Sequence, residues 1–282
     1  MGRFQARIRD FERSSSQLVG GLLGCRLRLE VPTCLEPLFT GVCGPPIISP
    51  RSLAVRARHK GGVHWAVDYG PTRKFAEVSG LNSIHYALDK ALIMELQRQR
   101  PDLLFMHAAV LGSSRGAIAV LAASGGGKST TSLTAIQAGL RCYSDELAPI
   151  DVDKLCVWPY RRALALKTPP CSVRFRERQL AYRIDRQWFL PLDPGPITRQ
   201  GRPIQLRALV MLEQVENAHS RIFEPSTAAA LASAYSHCLN PFAHANGGLP
   251  EVRRLITELP CYRLSSTHPR ETLALLQGLL DD

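Results

Sequence analysis

Leu27, Leu29 and Val31 alternate with Arg26, Arg28 and Glu30, the two-residue period of a strand with one face buried and one in water. The same period recurs at Val63, Trp65, Val67 and Tyr69, set against His64, Ala66 and Asp68. Leu53-Ala-Val-Arg-Ala57 precedes that run, and His59-Lys-Gly-Gly62 between the two predicts a hairpin turn. Phe75 and Val78 suggest one more short strand. The period then changes. Ile84, Leu88, Leu92 and Leu96, with Ala87 and Ala91, form one apolar stripe and predict a helix over 82–99, capped by Asn82 or Ser83 and stopped by Pro101. The chain therefore divides, in this reading, into a small β-rich domain over 1–81 and a larger domain over 82–282.

In the second part, Leu103-Leu-Phe-Met-His-Ala-Ala-Val-Leu111 is a continuous apolar run holding one histidine, His107. Gly112-Ser-Ser-Arg-Gly116 turns the chain back into Ala117-Ile-Ala-Val-Leu-Ala122, a buried strand by pattern. A glycine turn follows, then a helix through Leu133, Ala135 and Ile136 that Gly139 ends. Arg141-Cys-Tyr143 leads into Ser144-Asp-Glu146 and the apolar Leu147-Ala-Pro-Ile150, and Lys154–Pro159 reads as a returning hairpin strand. Residues 168–203, rich in Pro and Arg, read as a long surface connection or as a lid carrying Arg199 and Arg202. Leu206–Leu212 reads as a strand and Ala228–Cys238 as a helix. Pro250–Leu259 gives a second helix, Cys261–Leu264 a short strand and Pro269–Leu280 a closing helix.

Composition adds limits. Of the 282 residues 45% are apolar, enough for a sizeable core, yet no run approaches the roughly 20 apolar residues that span a bilayer. The charged start and the short, glycine-broken Leu18–Leu23 do not read as a signal peptide, so a cytoplasmic protein is expected. Eight cysteines are scattered without a C-x-x-C pair and read as free thiols rather than zinc ligands or disulfides. The net charge of +11 is spread along the chain with no dense basic run, which argues against nucleic acid as partner and for a solvated surface around a phosphate-handling site.

That site is Leu121-Ala-Ala-Ser-Gly-Gly-Gly-Lys-Ser-Thr130, a P-loop pattern between a predicted strand and a predicted helix. Ser124, Gly125, Gly126 and Gly127 let backbone N–H groups crowd around phosphate oxygens, and the helix N-terminus adds a favourable dipole. Lys128 is placed to reach the outer phosphates, Ser129 to hold magnesium, and Thr130 continues the loop. Ala122 stands where the usual pattern opens with Gly. Asp145 and Glu146 end a short apolar strand one helix later, where phosphoryl-transfer enzymes keep a base or a metal ligand. Asp145 reads as the general base and Glu146 as a metal or water partner, against the plainer reading of turn residues accepting hydrogen bonds. His107 is either a satisfied core histidine or, if its strand neighbours that of the P-loop, a residue facing the phosphates. Lys167, at the end of the alternation Arg161-Arg-Ala-Leu-Ala-Leu-Lys167, is either a solvated strand end or a phosphate clamp.

Together these residues resemble the HPr kinase/phosphorylase family, in its C-terminal catalytic domain and the HPr-kinase-related kinases. The resemblance covers roughly residues 100–282 and rests on the order His107, Ser124–Ser129, helix, Ser144-Asp-Glu146. It implies an α/β fold, a P-loop domain of the HPr kinase and PEP-carboxykinase type preceded here by the small β-rich domain. It also implies ATP and Mg2+ as cofactors and a serine hydroxyl of a peptide or small protein as acceptor. By the same likeness His107 neighbours the nucleotide site, Lys128 binds phosphates, Asp145 activates the acceptor and Ala163-Leu-Ala-Leu-Lys167 matches a Leu-Lys motif of the related kinases. Two departures stand out: Thr130 occupies the acidic position after Lys-Ser, and Glu146 replaces the second Asp of the family's pair. The longer signature of HPr recognition and dephosphorylation is not recognisable, so neither HPr as acceptor nor the reverse reaction is expected. Some related kinases resemble tailoring enzymes that phosphorylate a C-terminal serine of a lasso-peptide precursor, a role that fits a small stand-alone chain. A kinase of free serine or a small metabolite, and a nucleotide-responsive P-loop binding protein without transfer, are the other functions these residues allow. The oligomeric state is left open.

Overall fold

A computed structural model describes residues 14–113, 115–167, 181–184, 187–192, 201–216 and 219–281. It is mixed α/β, with three sheets among the described residues. By internal contacts it divides into two units, Met1–Arg100 with Ala165–Gly201, and Pro101–Leu164 with Arg202–Asp282.

The first unit is built on a five-stranded sheet in the order β1-β2-β3-β4-β5, from β1 (Ser15–Leu22), β2 (Cys25–Pro32), β3 (Ser52–Gly61), β4 (His64–Tyr69) and β5 (Arg73–Ser79). β1 was hidden by its glycines. It pairs antiparallel with β2 through a two-residue turn in which Leu23 (φ 50°) and Gly24 (φ 74°) both take left-handed angles, the twist that tight hairpins need. Leu27, Leu29 and Val31 are buried and Arg26 and Arg28 exposed, as the alternation requires. Helix α1 (Leu81–Gln99) lays Ile84, Leu88, Ala91, Leu92 and Leu96 on β3, β4 and β5. α1 and the sheet it covers both lie in the first unit, whose first segment runs to Arg100. The helix begins one residue earlier than expected, on Gly80 (φ 81°), and neither Asn82 nor Ser83 caps it. Glu95 lies fully buried on α1 and is satisfied by a two-pronged pair with Arg98, whose Nε and Nη2 lie 2.8 and 2.6 Å from its two oxygens.

The second unit carries a nine-stranded sheet. Its strands and first helix are β6 (Leu104–Met106), β7 (Ala108–Gly112), β8 (Ala117–Leu121), α2 (Lys128–Gln137), β9 (Arg141–Ser144), β10 (Ala148–Asp151) and β11 (Cys156–Val157). Next along the chain, β12 (Leu164–Leu166), β13 (Tyr182–Ile184) and β14 (Gln187–Leu190) form a separate small sheet in the order β12-β14-β13, the last two within the stretch 168–203 expected to be irregular. Arg199 lies outside the described residues, and Arg202 is exposed. The large sheet resumes with β15 (Ile204–Gln214) and β16 (Arg221–Phe223), followed by α3 (Thr227–Ser236), α4 (Leu249–Glu258), β17 (Cys261–Ser266) and α5 (Pro269–Asp281). The path across it is β6-β10-β11-β15-β8-β7-β9, with β17 also on β15 and β16 on β17.

β15 and β8 run parallel through the centre, and every residue of β8 is buried. A strand buried on both faces is what a continuous rather than alternating apolar run encodes. The run 103–111, expected as one strand, is two: β6 pairs with β10, β7 pairs with β8, and the break falls on His107. There the His107 N–H leaves the ladder and donates to the His237 carbonyl at 2.8 Å. Among the described residues no helix is long and apolar enough to cross a membrane. Cys43, Cys142, Cys238 and Cys261 are free thiols.

Candidate functional site

β7 runs antiparallel to both of its neighbours, β8 and β9. The C-terminal ends of β8 and β9 therefore meet the N-terminal end of β7. β8 ends in the glycine loop, β9 ends in Ser144-Asp-Glu146, and His107 immediately precedes β7. Antiparallel pairing thus converges three segments that the sequence separates by up to 39 positions.

The loop has the backbone its composition predicts. Gly125 and Gly127 take φ of 83° and 90°, and Gly127 is the N-cap of α2. Gly126 N–H donates to Ala123 O at 2.9 Å and Thr131 N–H to Gly127 O at 2.8 Å. A Cβ on Gly127 would stand 2.7 Å from Gln214 Nε2 at the end of β15. Ala122 is not among the residues with positive φ, which is why Gly is dispensable at the loop entry. Ser124, Gly125 and Thr130 are exposed, and Gly126 and Ser129 half-buried.

Lys128 is buried to 8% exposure. Its Nζ donates to Ala122 O at 2.6 Å and to His107 Nε2 at 3.0 Å. The other ring nitrogen, Nδ1, faces the Glu146 carbonyl at 3.1 Å and the Glu146 carboxylate at a longer 3.8 Å. An ammonium can only donate, so Nε2 accepts and Nδ1 carries the proton that the carbonyl receives. His107 is therefore the neutral Nδ1–H tautomer. Burial pushes its pKa below 6.5, with Lys128 adding to the effect and Glu146 opposing it. Burial also lowers the Lys128 pKa, against the pull of Glu146 and Asp145. The His237 ring lies parallel to that of His107 with centroids 6.4 Å apart.

The acids are set by a turn. Ser144 Oγ, fully buried, accepts from Leu147 N–H at 3.0 Å and Glu146 N–H at 3.3 Å. Asp145 is 2% exposed. Arg162 reaches both acids, its Nε 3.5 Å from Asp145 Oδ1 and its Nη2 3.1 Å from Glu146 Oε2.

His107, Lys128, Asp145 and Glu146 are thus one cluster, with the loop residues 124–130 beside it. Lys167 is exposed, one residue past β12, and falls in the first unit. Sequence reading missed Arg162, His237 and Gln214. Arg162 was hidden inside the alternation that led to Lys167, and its role depends on Tyr160 N–H bonding Tyr143 O at 2.9 Å, a register no local pattern reveals. The other two arrive from distant segments, on β15 and just past α3.

Among the described residues no group of three or more His, Cys, Asp and Glu could hold a metal ion by itself. Ser129 and Glu146 are nevertheless hard oxygen donors. Magnesium bound with a nucleotide takes only one or two protein ligands and fills its sphere with phosphate and water, so the residues present fit it. The chain matches no protein-family model and has no significant match among curated proteins.

Proposed function

We propose that this chain is an ATP- and Mg2+-dependent kinase that moves the γ-phosphate onto a serine hydroxyl of a peptide or small protein. Its second unit would be a P-loop domain of the HPr kinase and PEP-carboxykinase type. The observation that carries the reading is the meeting of Lys128, His107 and the Asp145–Glu146 pair beside the glycine loop, with Lys128 Nζ 3.0 Å from His107 and His107 3.1 Å from Glu146 O.

The loop amides and the α2 N-terminus would cradle the phosphates, and Lys128 would exchange the Ala122 carbonyl for a phosphate oxygen. His107, held neutral, accepts from Lys128 and steers its ammonium without adding charge of its own. Asp145 takes the serine proton as the new O–P bond forms and the bond from the γ-phosphorus to ADP breaks. Mg2+, held through Ser129 and Glu146, would offset the charge that builds on the phosphate oxygens.

The test is incubation with ATP and Mg2+ and either serine-containing peptides, including ones ending in serine, or free serine, read by mass spectrometry. A mass gain of one phosphate on the peptide serine supports the reading. Phosphoserine from free serine alone would make the enzyme a metabolite kinase.

A further inference from the structure

Arg162 sits directly on the acid pair, 3.5 Å from Asp145 Oδ1 and 3.1 Å from Glu146 Oε2. Its side chain is 12% exposed and that of Asp145 only 1%. One guanidinium thus spans two consecutive carboxylates, that of Asp145 nearly dry, where a charge persists only when it is paired, and that of Glu146 26% exposed. The segment that carries it is tied to β9. Tyr160 N–H donates to Tyr143 O at 2.9 Å, and the neighbouring Arg161 donates through Nε to Cys142 O at 3.3 Å. Lys128, the cluster's other cation, is directed elsewhere, to Ala122 O and His107.

We propose that Arg162 is a positioning residue that orients Asp145 and Glu146 and fills the cation position of the pair, so that a divalent ion enters only together with nucleotide phosphates. The inference rests on reading Asp145 and Glu146 as the acid pair of a phosphoryl-transfer site. A guanidinium and a dication compete for the same carboxylate oxygens. Mg2+ gives up its water reluctantly, and a pair of carboxylates whose charge one guanidinium already halves attracts it less strongly. Phosphates reverse the balance. They bring negative charge for the metal, and their oxygens offer the planar fork of an arginine a bidentate partner.

The test is titration of the full chain with Mn2+ in the absence of nucleotide, following the free ion by electron paramagnetic resonance. Arg162→Gln should bind Mn2+ about tenfold tighter than the native chain, or more. Adding Asp145→Asn and Glu146→Gln to it should abolish the gain. Equal affinity in the native and Arg162→Gln chains overturns the inference. If Arg162→Gln does not fold, Arg162→Lys carries the test. A point charge cannot span both carboxylates, so about threefold tighter Mn2+ binding is expected, and equality again overturns the inference. ATP binding is measured alongside by calorimetry with Mg2+ present. A native chain that binds no ATP overturns the phosphoryl-transfer reading, and this inference with it. ATP binding with unchanged Mn2+ affinity overturns this inference alone.

Discussion

Between the ammonium of Lys128 and the carbonyl of Glu146, the imidazole of His107 has a single arrangement of its proton. That arrangement is measurable. Nitrogen-15 NMR of the ring should show the Nδ1–H tautomer at neutral pH and a titration below 6.5, because burial disfavours the imidazolium. A titration above 6.5 would contradict it. The consequence for stability has a definite sign. The folded chain holds the His107 proton less tightly than the unfolded chain, so this contribution is fully present above pH 6.5 and is lost as pH falls through the folded value. At Lys128, replacement by Met should lower ATP affinity by about tenfold or more in calorimetry, since a charge-assisted phosphate contact is lost. Retained affinity would show that the loop amides suffice. The residue types were readable from the chain; His107 was not decidable there, because its role depends on which strand lies next to β7.

At the scale of elements, the site is a product of strand direction. β7 lies antiparallel to β8 and to β9, which brings the ends of both to His107. The edge strand β6 is held by Asn240, 6% exposed, whose amide accepts from Phe105 N–H at 2.8 Å and donates to Leu103 O at 2.9 Å. Asn240→Ala strands buried backbone groups and should cost about 1–3 kcal/mol in urea unfolding. Less than a few tenths of a kcal/mol would mean that water replaces the amide. Gly127→Ala should destabilise by about 1–2 kcal/mol and weaken ATP binding, from its φ of 90° and the 2.7 Å approach to Gln214, whereas Ala122→Gly should be nearly silent.

The long, strongly patterned elements were legible: α1 from its stripe, β8 and α2 around the glycines, and α3 to α5 to within one or two residues of their ends. β1 was not, because Gly20 and Gly21 blur its period, and their lack of side chains has a reason only in the fold. A Cβ on Gly20 would lie 2.3 Å from the Gly44 carbonyl oxygen. Nor was the split of the run 103–111, since it depends on a bond to His237, 130 positions away in sequence (237 − 107). The bridge from Arg162 to the acids was equally out of reach, because the register of Tyr160 against Tyr143 is set by tertiary pairing.

At the scale of the molecule, a net charge of +11 favours an acidic acceptor. For peptides of equal length, KM should be lower for an acidic than for a neutral sequence, and the difference should shrink as salt rises from about 0.05 to 0.5 M, where screening is shorter than the spacing of surface charges. A salt-independent KM would show that recognition is not electrostatic. The central claim is transfer itself, with Asp145 as the base. The most direct measurement pairs calorimetric ATP binding with mass-spectrometric detection of phosphoserine on a serine peptide, for the native chain and Asp145→Asn. ATP affinity should stay within about threefold of native, and phosphoserine formation should be slower by about 10²- to 10⁴-fold in the variant. Equal rates in the two chains, or no phosphoserine from the native chain on any serine peptide, would contradict it.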